Sequence, residues 1–270
     1  MGIRRIKLIY FSPTGTTRKI LEGIAQGFGA ANVEQVDLTL PVRARQPVPV
    51  LIDELAILGA PVYGGRLPVD AIKRFNQVQG ENGLAVLVVM YGNREFDDAL
   101  LELKNLAREL GFHPIAGGAF IGEHSFASAG IPVANGRPDS LDMKKAEEFG
   151  RRIKAKVIAV QSTDTLIDVD VPGSYPYEAV GARAMAVSPV TRQDACRVCG
   201  TCADVCPTAV ISIDGGVTTD AEHCIRCCAC IKSCPEEARV MENETWKQIT
   251  TWLSENCGSR MEPQLFGVDG

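Results

Sequence analysis

The sequence lacks the features of a membrane protein and of a nucleic-acid binder. Its longest uninterrupted apolar run, Leu84 to Tyr91, is far shorter than the roughly 18 residues that a membrane-spanning helix needs. Acidic residues outnumber basic ones and give a formal net charge of −5 at pH 7, whereas nucleic-acid binders usually carry a clustered basic excess. The apolar stretch near the N-terminus runs straight into a polar segment, so no export signal is expected. These absences predict a cytoplasmic protein with neither a membrane span nor a nucleic-acid partner.

Cysteine is absent from the N-terminal two thirds of the chain, because all ten cysteines fall between Cys196 and Cys257. Clustered, regularly spaced cysteines in a chain without an export signal favour metal binding over a disulfide framework. The length of 270 residues also exceeds that of most single compact domains. We therefore expect a large domain without cysteine, followed by a smaller one that is rich in it.

Strands and helices alternate over the first 160 residues. Apolar and β-branched runs predict five strands, at 4–10, 33–38, 54–59, 84–91 and 114–121. Apolar residues at helical spacing predict helices at 17–28, 69–78, 97–110 and 139–160. This alternation predicts an α/β domain with a doubly wound, five-stranded parallel sheet. Such sheets bind ligands beyond the carboxyl ends of their strands, so the loops after strands one, three and four are the candidate site.

The loop after the first strand has the composition of a phosphate site. Its residues are Ser12, Pro13, Thr14, Gly15, Thr16 and Thr17. Hydroxyl groups and the backbone N–H groups at a helix N-terminus can donate to a phosphate, and the helix dipole favours its negative charge. Serine and threonine are also good helix caps, so an ordinary capped turn is the alternative.

This loop resembles the FMN phosphate loop of flavodoxins, which lies in the same strand-loop-helix context. The resemblance extends to the loops after the third and fourth strands, which enclose the flavin ring in flavodoxins. It implies FMN contacts from Pro61, Val62, Tyr63, Gly64 and Gly65, and from Tyr91, Gly92, Asn93 and Phe96. Tyr63 and Phe96 would stack on the ring, and the Gly64 peptide would contact it. The alternative is that both rings are core aromatics.

The loop after the fifth strand contains His124, whose role the sequence leaves open. The loop is long, and long loops on compact domains are often functional. His124 could touch the flavin edge or act as an acid, or it could be a hydrogen-bonded loop residue. Residues 161–190 then break the alternation with prolines and glycine, which predicts a linker.

Two cysteine runs with identical spacing follow the predicted linker. Each reads CxxCxxCxxxCP, the first from Cys196 to Pro207 and the second from Cys224 to Pro235. Thiolates are soft ligands for iron, and the short spacing presents three sulfurs to one cluster. Zinc would need only four ligands in total.

The cysteine region resembles bacterial ferredoxins, in which the fourth cysteine of each run binds the other cluster. The resemblance implies one 4Fe-4S cluster on Cys196, Cys199, Cys202 and Cys234, and a second on Cys224, Cys227, Cys230 and Cys206. Cys228 and Cys257 lie outside this spacing. We expect the first to be a bystander and the second a buried apolar residue.

Together the two regions resemble flavodoxin–ferredoxin fusion proteins, which are found chiefly in anaerobes. The implied organisation is a flavodoxin-like FMN domain at 1–160, a linker at 161–190, a small α+β ferredoxin-like domain with two 4Fe-4S clusters at 191–243, and a C-terminal helix and tail at 244–270. The implied function is transfer of low-potential electrons between the clusters, FMN and transient redox protein partners. The alternatives are an FMN-dependent reductase of a small molecule, with His124 or Tyr91 as proton donor, and a redox-sensing binding protein. The sequence does not decide whether the protein is an enzyme.

Overall fold

The computed structural model describes residues 2–41, 47–128, 130–159, 168–179 and 186–268. The strands, in chain order, are β1 (Arg5–Tyr10), β2 (Val33–Asp37), β3 (Val48–Pro49), β4 (Glu54–Pro61), β5 (Val78–Gln79), β6 (Leu84–Tyr91), β7 (His113–Ile121), β8 (Val190–Thr191), β9 (Ile211–Ser212), β10 (Thr218–Thr219), β11 (Arg239–Val240) and β12 (Gln264–Phe266). The helices are α1 (Thr16–Phe28), α2 (Val69–Phe75), α3 (Ala99–Glu109), α4 (Ser140–Ala159), α5 (Thr201–Asp204), α6 (Ala229–Lys232) and α7 (Glu244–Asn256).

The central sheet has the strand order β12-β7-β6-β4-β1-β2. Its five N-terminal strands are parallel. When these five are counted along the chain their order is 2-1-3-4-5, which is the flavodoxin-like order of doubly wound sheets. The prediction of a five-stranded parallel sheet of this class is therefore confirmed.

The sixth strand of the sheet comes from the C-terminal tail and was not predicted. β12 pairs antiparallel with β7, with Leu265 opposite Gly118. It covers a sheet edge that would otherwise present unpaired backbone groups. A three-residue strand is too short to show a hydrophobic period, and so it could not be predicted from the local pattern.

Two layers of helices cover the sheet. The α1 and α4 helices pack on one face around side chains such as Ile20 and Phe149, while α2 and α3 pack on the other around side chains such as Phe75 and Leu103. The α1 and α4 backbones approach closely because both have glycine at the crossing. A Cβ atom on Gly150 would collide with the backbone of α1.

The predicted linker falls partly on residues 160–167 and 180–185, which lie outside the described residues. Its described part packs against the large domain. The Val169 N–H donates to the Pro114 carbonyl at 3.0 Å, and the Asp98 carboxylate accepts hydrogen bonds from the N–H groups of Ser174 and Ala179. This part of the segment is therefore held by specific contacts.

The cysteine-rich region is built from two short β pairs and two short helices. β8 pairs with β11, and β9 pairs with β10. Each helix begins directly after a left-handed residue, Gly200 before α5 and Cys228 before α6. The two cysteine runs therefore adopt equivalent local backbones.

The chain then returns to the large domain through α7 and the tail. The side-chain amide of Asn93 donates to the carbonyls of Cys257 and Ser259, both at 2.7 Å. Arg137 Nη1 donates to the Met261 carbonyl at 2.7 Å, and Lys156 Nζ to the Gly267 carbonyl at 2.6 Å. These bonds fix the segment that follows α7 on the sheet domain. No helix within the described ranges is long and apolar enough to cross a membrane.

Candidate cofactor sites

A cavity of about 430 Å³ opens at the carboxyl ends of β1, β4 and β6, and is called the strand-end cavity below. This is where parallel α/β sheets bind ligands, and the volume lies within the range of cofactor pockets. The predicted flavin residues that line it are Thr14, Thr16, Thr17, Pro61, Val62, Tyr63, Gly64, Tyr91 and Gly92. All three predicted loops therefore contribute to one cavity.

The loop after β1 leaves the start of α1 available to a ligand. Gly15 has a φ of 80° and makes no side-chain cap for the helix. The Thr14 and Thr16 hydroxyl oxygens lie 3.5 Å apart, and both residues line the cavity. A helix N-terminus beside two hydroxyl groups suits a phosphate, because its N–H groups and its dipole both favour negative charge.

Five predicted flavin residues do not line the cavity: Ser12, Gly15, Gly65, Asn93 and Phe96. Ser12 and Gly15 shape the loop, since Ser12 Oγ accepts from the Arg18 N–H at 3.2 Å. Gly65 is buried against Asp97 and has a φ of 84°.

Asn93 and Phe96 have side chains that contact other parts of the protein, and their flavin contacts stay a prediction. Phe96 lies in the hydrophobic core, 3% exposed, with its ring centroid 5.5 Å from that of Tyr91. Asn93 holds the C-terminal tail. The resemblance placed both residues by their position in the chain, whereas burial and the tail contacts direct these side chains away from the cavity.

Tyr63 lines the strand-end cavity and lies near the second cysteine run. Burial raises the pKa of its hydroxyl well above the usual value, and the nearby Cys227 and Cys228 thiols raise it further. A hydrogen bond with Ser125 opposes this rise. Tyr63 is therefore a cavity-lining ring that also approaches the cysteines.

His124 and Tyr91 line the cavity as candidate proton donors. Burial, together with the Lys232 and Arg94 cations, lowers the pKa of His124 to about 4. His124 is therefore neutral near pH 7, and its Nδ1 accepts a hydrogen bond from the Phe126 N–H at 3.1 Å. Burial raises the pKa of Tyr91 to about 12. Within the described part of the chain, the Tyr91 hydroxyl is buried without a hydrogen-bond partner.

The sequence interpretation missed one wall of the cavity, which comes from α7 and from the second cysteine run. This wall consists of Ile225, Arg226, Trp246, Ile249, Trp252 and Leu253. The Trp246 and Phe126 ring centroids lie 3.7 Å apart. The apolar spacing of α7 indicated packing against a domain, but only the fold shows against which surface.

The eight repeat cysteines line two smaller cavities. The first cysteine cavity is lined by Cys196, Cys199, Cys202 and Cys234. The second is lined by Cys206, Cys224, Cys227 and Cys230, and also by Cys228. Within the described ranges, no three His, Cys, Asp or Glu side chains converge closely enough to hold a single metal ion. Four thiols around a cavity instead fit a cluster, whose sulfur ligands stand farther apart than those of one ion.

Arg239 lies between the two cysteine cavities. It is 2% exposed and lines the first cavity, and its Nη2 lies 4.0 Å from Cys230 Sγ of the second. Its guanidinium also donates to the Thr191 and Thr219 hydroxyls, both at 2.6 Å. Burial raises the pKa of the Cys202 and Cys230 thiols, and the Arg239 cation opposes that rise. One buried cation therefore acts on both cysteine sets.

Comparison with known proteins identifies one family within the cysteine-rich region. The Fer4 family, a 4Fe-4S binding domain, matches residues 189–212, a segment that contains the whole first run from Cys196 to Cys206. No curated protein matches the chain.

Several solved structures are similar to the N-terminal part. A flavodoxin from the domain Archaea is 14% identical with a TM-score of 0.38, and the match covers 57% of this chain and 99% of that one. A flavodoxin from Streptococcus pneumonia TIGR4 is 18% identical with a TM-score of 0.38, covering 56% and 99%. Rubredoxin oxygen:oxidoreductase from Desulfovibrio gigas is 12% identical with a TM-score of 0.41, and this chain spans only 38% of its length.

The chain thus combines a flavodoxin-like α/β fold, identified by its strand order, with a 4Fe-4S binding domain. This combination fits a flavodoxin–ferredoxin fusion and supports an electron-transfer or redox role.

Proposed function

We propose that this protein transfers low-potential electrons between two 4Fe-4S clusters, one FMN and a redox protein partner. The observation that carries the proposal is a shared wall, because Ile225 lines both the strand-end cavity and the second cysteine cavity. A flavin and a cluster on either side of one side chain could exchange electrons directly. FMN accepts one or two electrons and each cluster accepts one, so their combination would couple pair and single-electron chemistry.

The residues proposed for FMN divide into a phosphate end and a ring end. The Thr14, Thr16 and Thr17 hydroxyls and the first N–H groups of α1 would hold the phosphate. Tyr63 would lie against the ring, and the buried α7 side chains Trp246 and Leu253 would exclude water from it. The repeat cysteines would hold the clusters in the two sets that line the cysteine cavities.

Contacts between the two halves support exchange within one chain. The Arg74 guanidinium donates to the Pro207 carbonyl beside Cys206, and Lys232 forms an ion pair with Glu123. A fixed separation suits electron transfer better than a flexible tether would. The proposed organisation is an FMN domain at 1–160, a linker at 161–190, a cluster domain at 191–243 and a C-terminal helix and tail at 244–270.

Anaerobic purification with quantitation of iron, sulfide and flavin tests the proposal. About eight irons and one FMN per chain are expected, since two cubane clusters carry four irons each. About four irons would contradict the two-cluster assignment. Colourless protein would contradict the whole proposal.

Substitutions in the loop after β1 test the phosphate assignment separately. Thr14→Ala removes a donor, and Gly15→Val places a β-branched residue at a φ of 80°, which is strained whatever the surrounding space. Both variants should release flavin while the iron content stays unchanged. Equal loss of iron and flavin would contradict separate sites.

A second candidate function is reduction of a small molecule at the flavin, and the α7 wall favours it. Trp252 lines the cavity and is 52% exposed. A small substrate that enters the cavity would therefore pass this apolar ring. Trp252→Ala should lower turnover of small electron acceptors if the protein is a reductase. Electron transfer to a protein acceptor should then be unchanged.

A further inference from the structure

The two cysteine runs are equivalent in backbone but not in surroundings. Val198 and Arg226 occupy the same position in the two runs and have φ values of 54° and 55°. One position earlier, Arg197 of the first run has a side chain that is 76% exposed. Its counterpart in the second run, Ile225, forms the wall shared with the strand-end cavity. Equivalent positions of the two cysteine runs can therefore be compared directly within one protein.

The large domain covers the second cysteine cavity. Tyr63 approaches Cys227 and Cys228, and Arg74 binds the Pro207 carbonyl. Cys227 is 7% exposed. A protein partner has no direct approach to this set through the side that faces the sheet domain.

The first cysteine set is the more exposed of the two. The Cys199 thiol is exposed, and Val198 and Ile213 beside it are each 45% exposed. Ile213 belongs to this surface because its Cδ1 would lie 3.9 Å from a Cβ on Gly200, which lines the cavity. An exposed thiol thus stands among exposed apolar side chains, an arrangement typical of a contact surface.

The exposed surface formed by Cys199, Val198 and Ile213 is called the Cys199 surface below, and acidic residues lie close in the chain to the ligands of the same set. Asp194 precedes the first ligand and is exposed, and Glu237 follows Cys234 and is exposed. Glu236, the residue before Glu237, forms an ion pair with Arg197 at 3.2 Å. A cluster bound by four thiolates would add further negative charge. The surface is complementary to a positively charged partner.

We propose that the two cysteine sets have separate tasks: the second serves the strand-end cavity inside the molecule, and the first exchanges electrons at the Cys199 surface with a one-electron carrier protein that is positively charged around its redox centre. This inference rests on the proposed function. In each encounter one electron passes between the carrier and the first set, so that one of them is oxidised as the other is reduced, and no bond is made or broken. Such encounters use small, transient interfaces.

The matched positions Ile225 and Arg197 test the internal half of the proposal in the cofactor-loaded protein. Ile225→Ala should change both the flavin absorption spectrum and the EPR signal of the reduced clusters, because this side chain borders both cavities. Arg197→Ala, at the equivalent position, should leave the flavin spectrum unchanged. A flavin change of equal size in both variants would overturn the assignment, and Ile225→Val provides a milder variant if Ile225→Ala does not fold.

Charge reversal tests the external half with cytochrome c, a basic one-electron protein, as the probe. Glu237→Lys should weaken the affinity for oxidised cytochrome c severalfold at low ionic strength, and should slow its reduction by the pre-reduced protein by a similar factor. Salt should remove the difference, because screening weakens contacts between exposed charges. Glu109→Lys makes the same charge change on an exposed residue of α3, and should match the unsubstituted protein. Equal effects of the two substitutions, or none from Glu237→Lys, would overturn the proposal.

Failure of this inference can be told apart from failure of the proposed function. If the purified protein lacks two clusters or lacks FMN, the quantitation of iron and flavin contradicts the proposed function itself, before either test is made. If the protein carries all its cofactors and Glu237→Lys and Glu109→Lys behave alike, the proposed function still holds. Only the proposed role of the Cys199 surface is then contradicted.

Discussion

The side-chain amide of Asn93, at the carboxyl end of β6, donates a hydrogen bond to the carbonyl of Cys257, which follows α7, across 2.7 Å and 164 positions of the chain. The same amide bonds Ser259 at 2.7 Å, and its oxygen accepts from the Met261 N–H at 3.2 Å. One buried side chain therefore fixes the point where α7 meets the strand-end cavity.

Asn93→Ala should destabilise the protein by about 1–3 kcal/mol, because it leaves buried carbonyls without donors. It should also weaken FMN binding, since α7 loses its attachment beside the cavity, while the iron content should stay unchanged. Urea unfolding and flavin titration measure the two effects. Asn93 has a φ of 64°, so Asn93→Gly controls for backbone strain. Loss of FMN in Asn93→Ala but not in Asn93→Gly would assign the effect to strain and contradict the amide's role.

His124 should titrate with a pKa of about 4 in the folded protein, because burial and the Lys232 and Arg94 cations disfavour its charged form. Glu123 beside it is paired with Lys232. In the unfolded chain histidine titrates near its ordinary value of about 6.5, so between these pH values the unfolded state binds more protons. Stability contributed by neutral His124 is therefore present above about pH 6.5 and is lost as the pH falls towards about 4.

Histidine NMR measures this titration directly, since the chain has three histidines and His124→Gln assigns the signal. The substitution should also flatten the pH dependence of unfolding between about pH 4 and 6.5. A His124 signal that titrates at its ordinary value would show that the ring is not buried as described.

Arg239→Met should lower the reduction potentials of both clusters, because it removes the buried cation that faces Cys202 and Cys230 and makes each added electron less favourable. EPR-monitored redox titration measures both potentials. Arg192→Met serves as the control, since Arg192 is exposed and pairs with Glu242 at 3.1 Å. A shift in only one potential would contradict the position of Arg239 between the two sets.

Cys228→Gly should leave the iron content unchanged, because Cys228 occupies the position of Gly200 in the other run and lies outside the repeated ligand spacing. The φ of Cys228 is 58°, against 82° for Gly200. Glycine at position 228 should relieve the strain of this left-handed backbone, but it removes the packing of a buried side chain. The two effects oppose each other, and the free energy of unfolding should change by no more than about 1 kcal/mol. Iron quantitation and urea unfolding check both outcomes; loss of iron would identify Cys228 as a ligand.

The amino-acid sequence determined the elements whose signals are local. The alternating strands and helices of the sheet domain, the Thr14–Gly15 loop and the two cysteine runs each depend on residues that are close together in the chain. Their spacing specifies periodicity, backbone conformation or ligand geometry, and so the parallel sheet, the loop at the strand end and the clustered thiols could all be predicted.

Only the tertiary structure decided which distant residues meet. Phe96 lies in the core although its loop borders the cavity, Asn93 binds the tail, and β12 joins the sheet from the far end of the chain. The α7 wall and the proximity of Tyr63 to the second cysteine run likewise join segments far apart in sequence. Such pairings depend on shape and burial after folding, and a three-residue strand or a single asparagine carries no periodic signal from which to predict them.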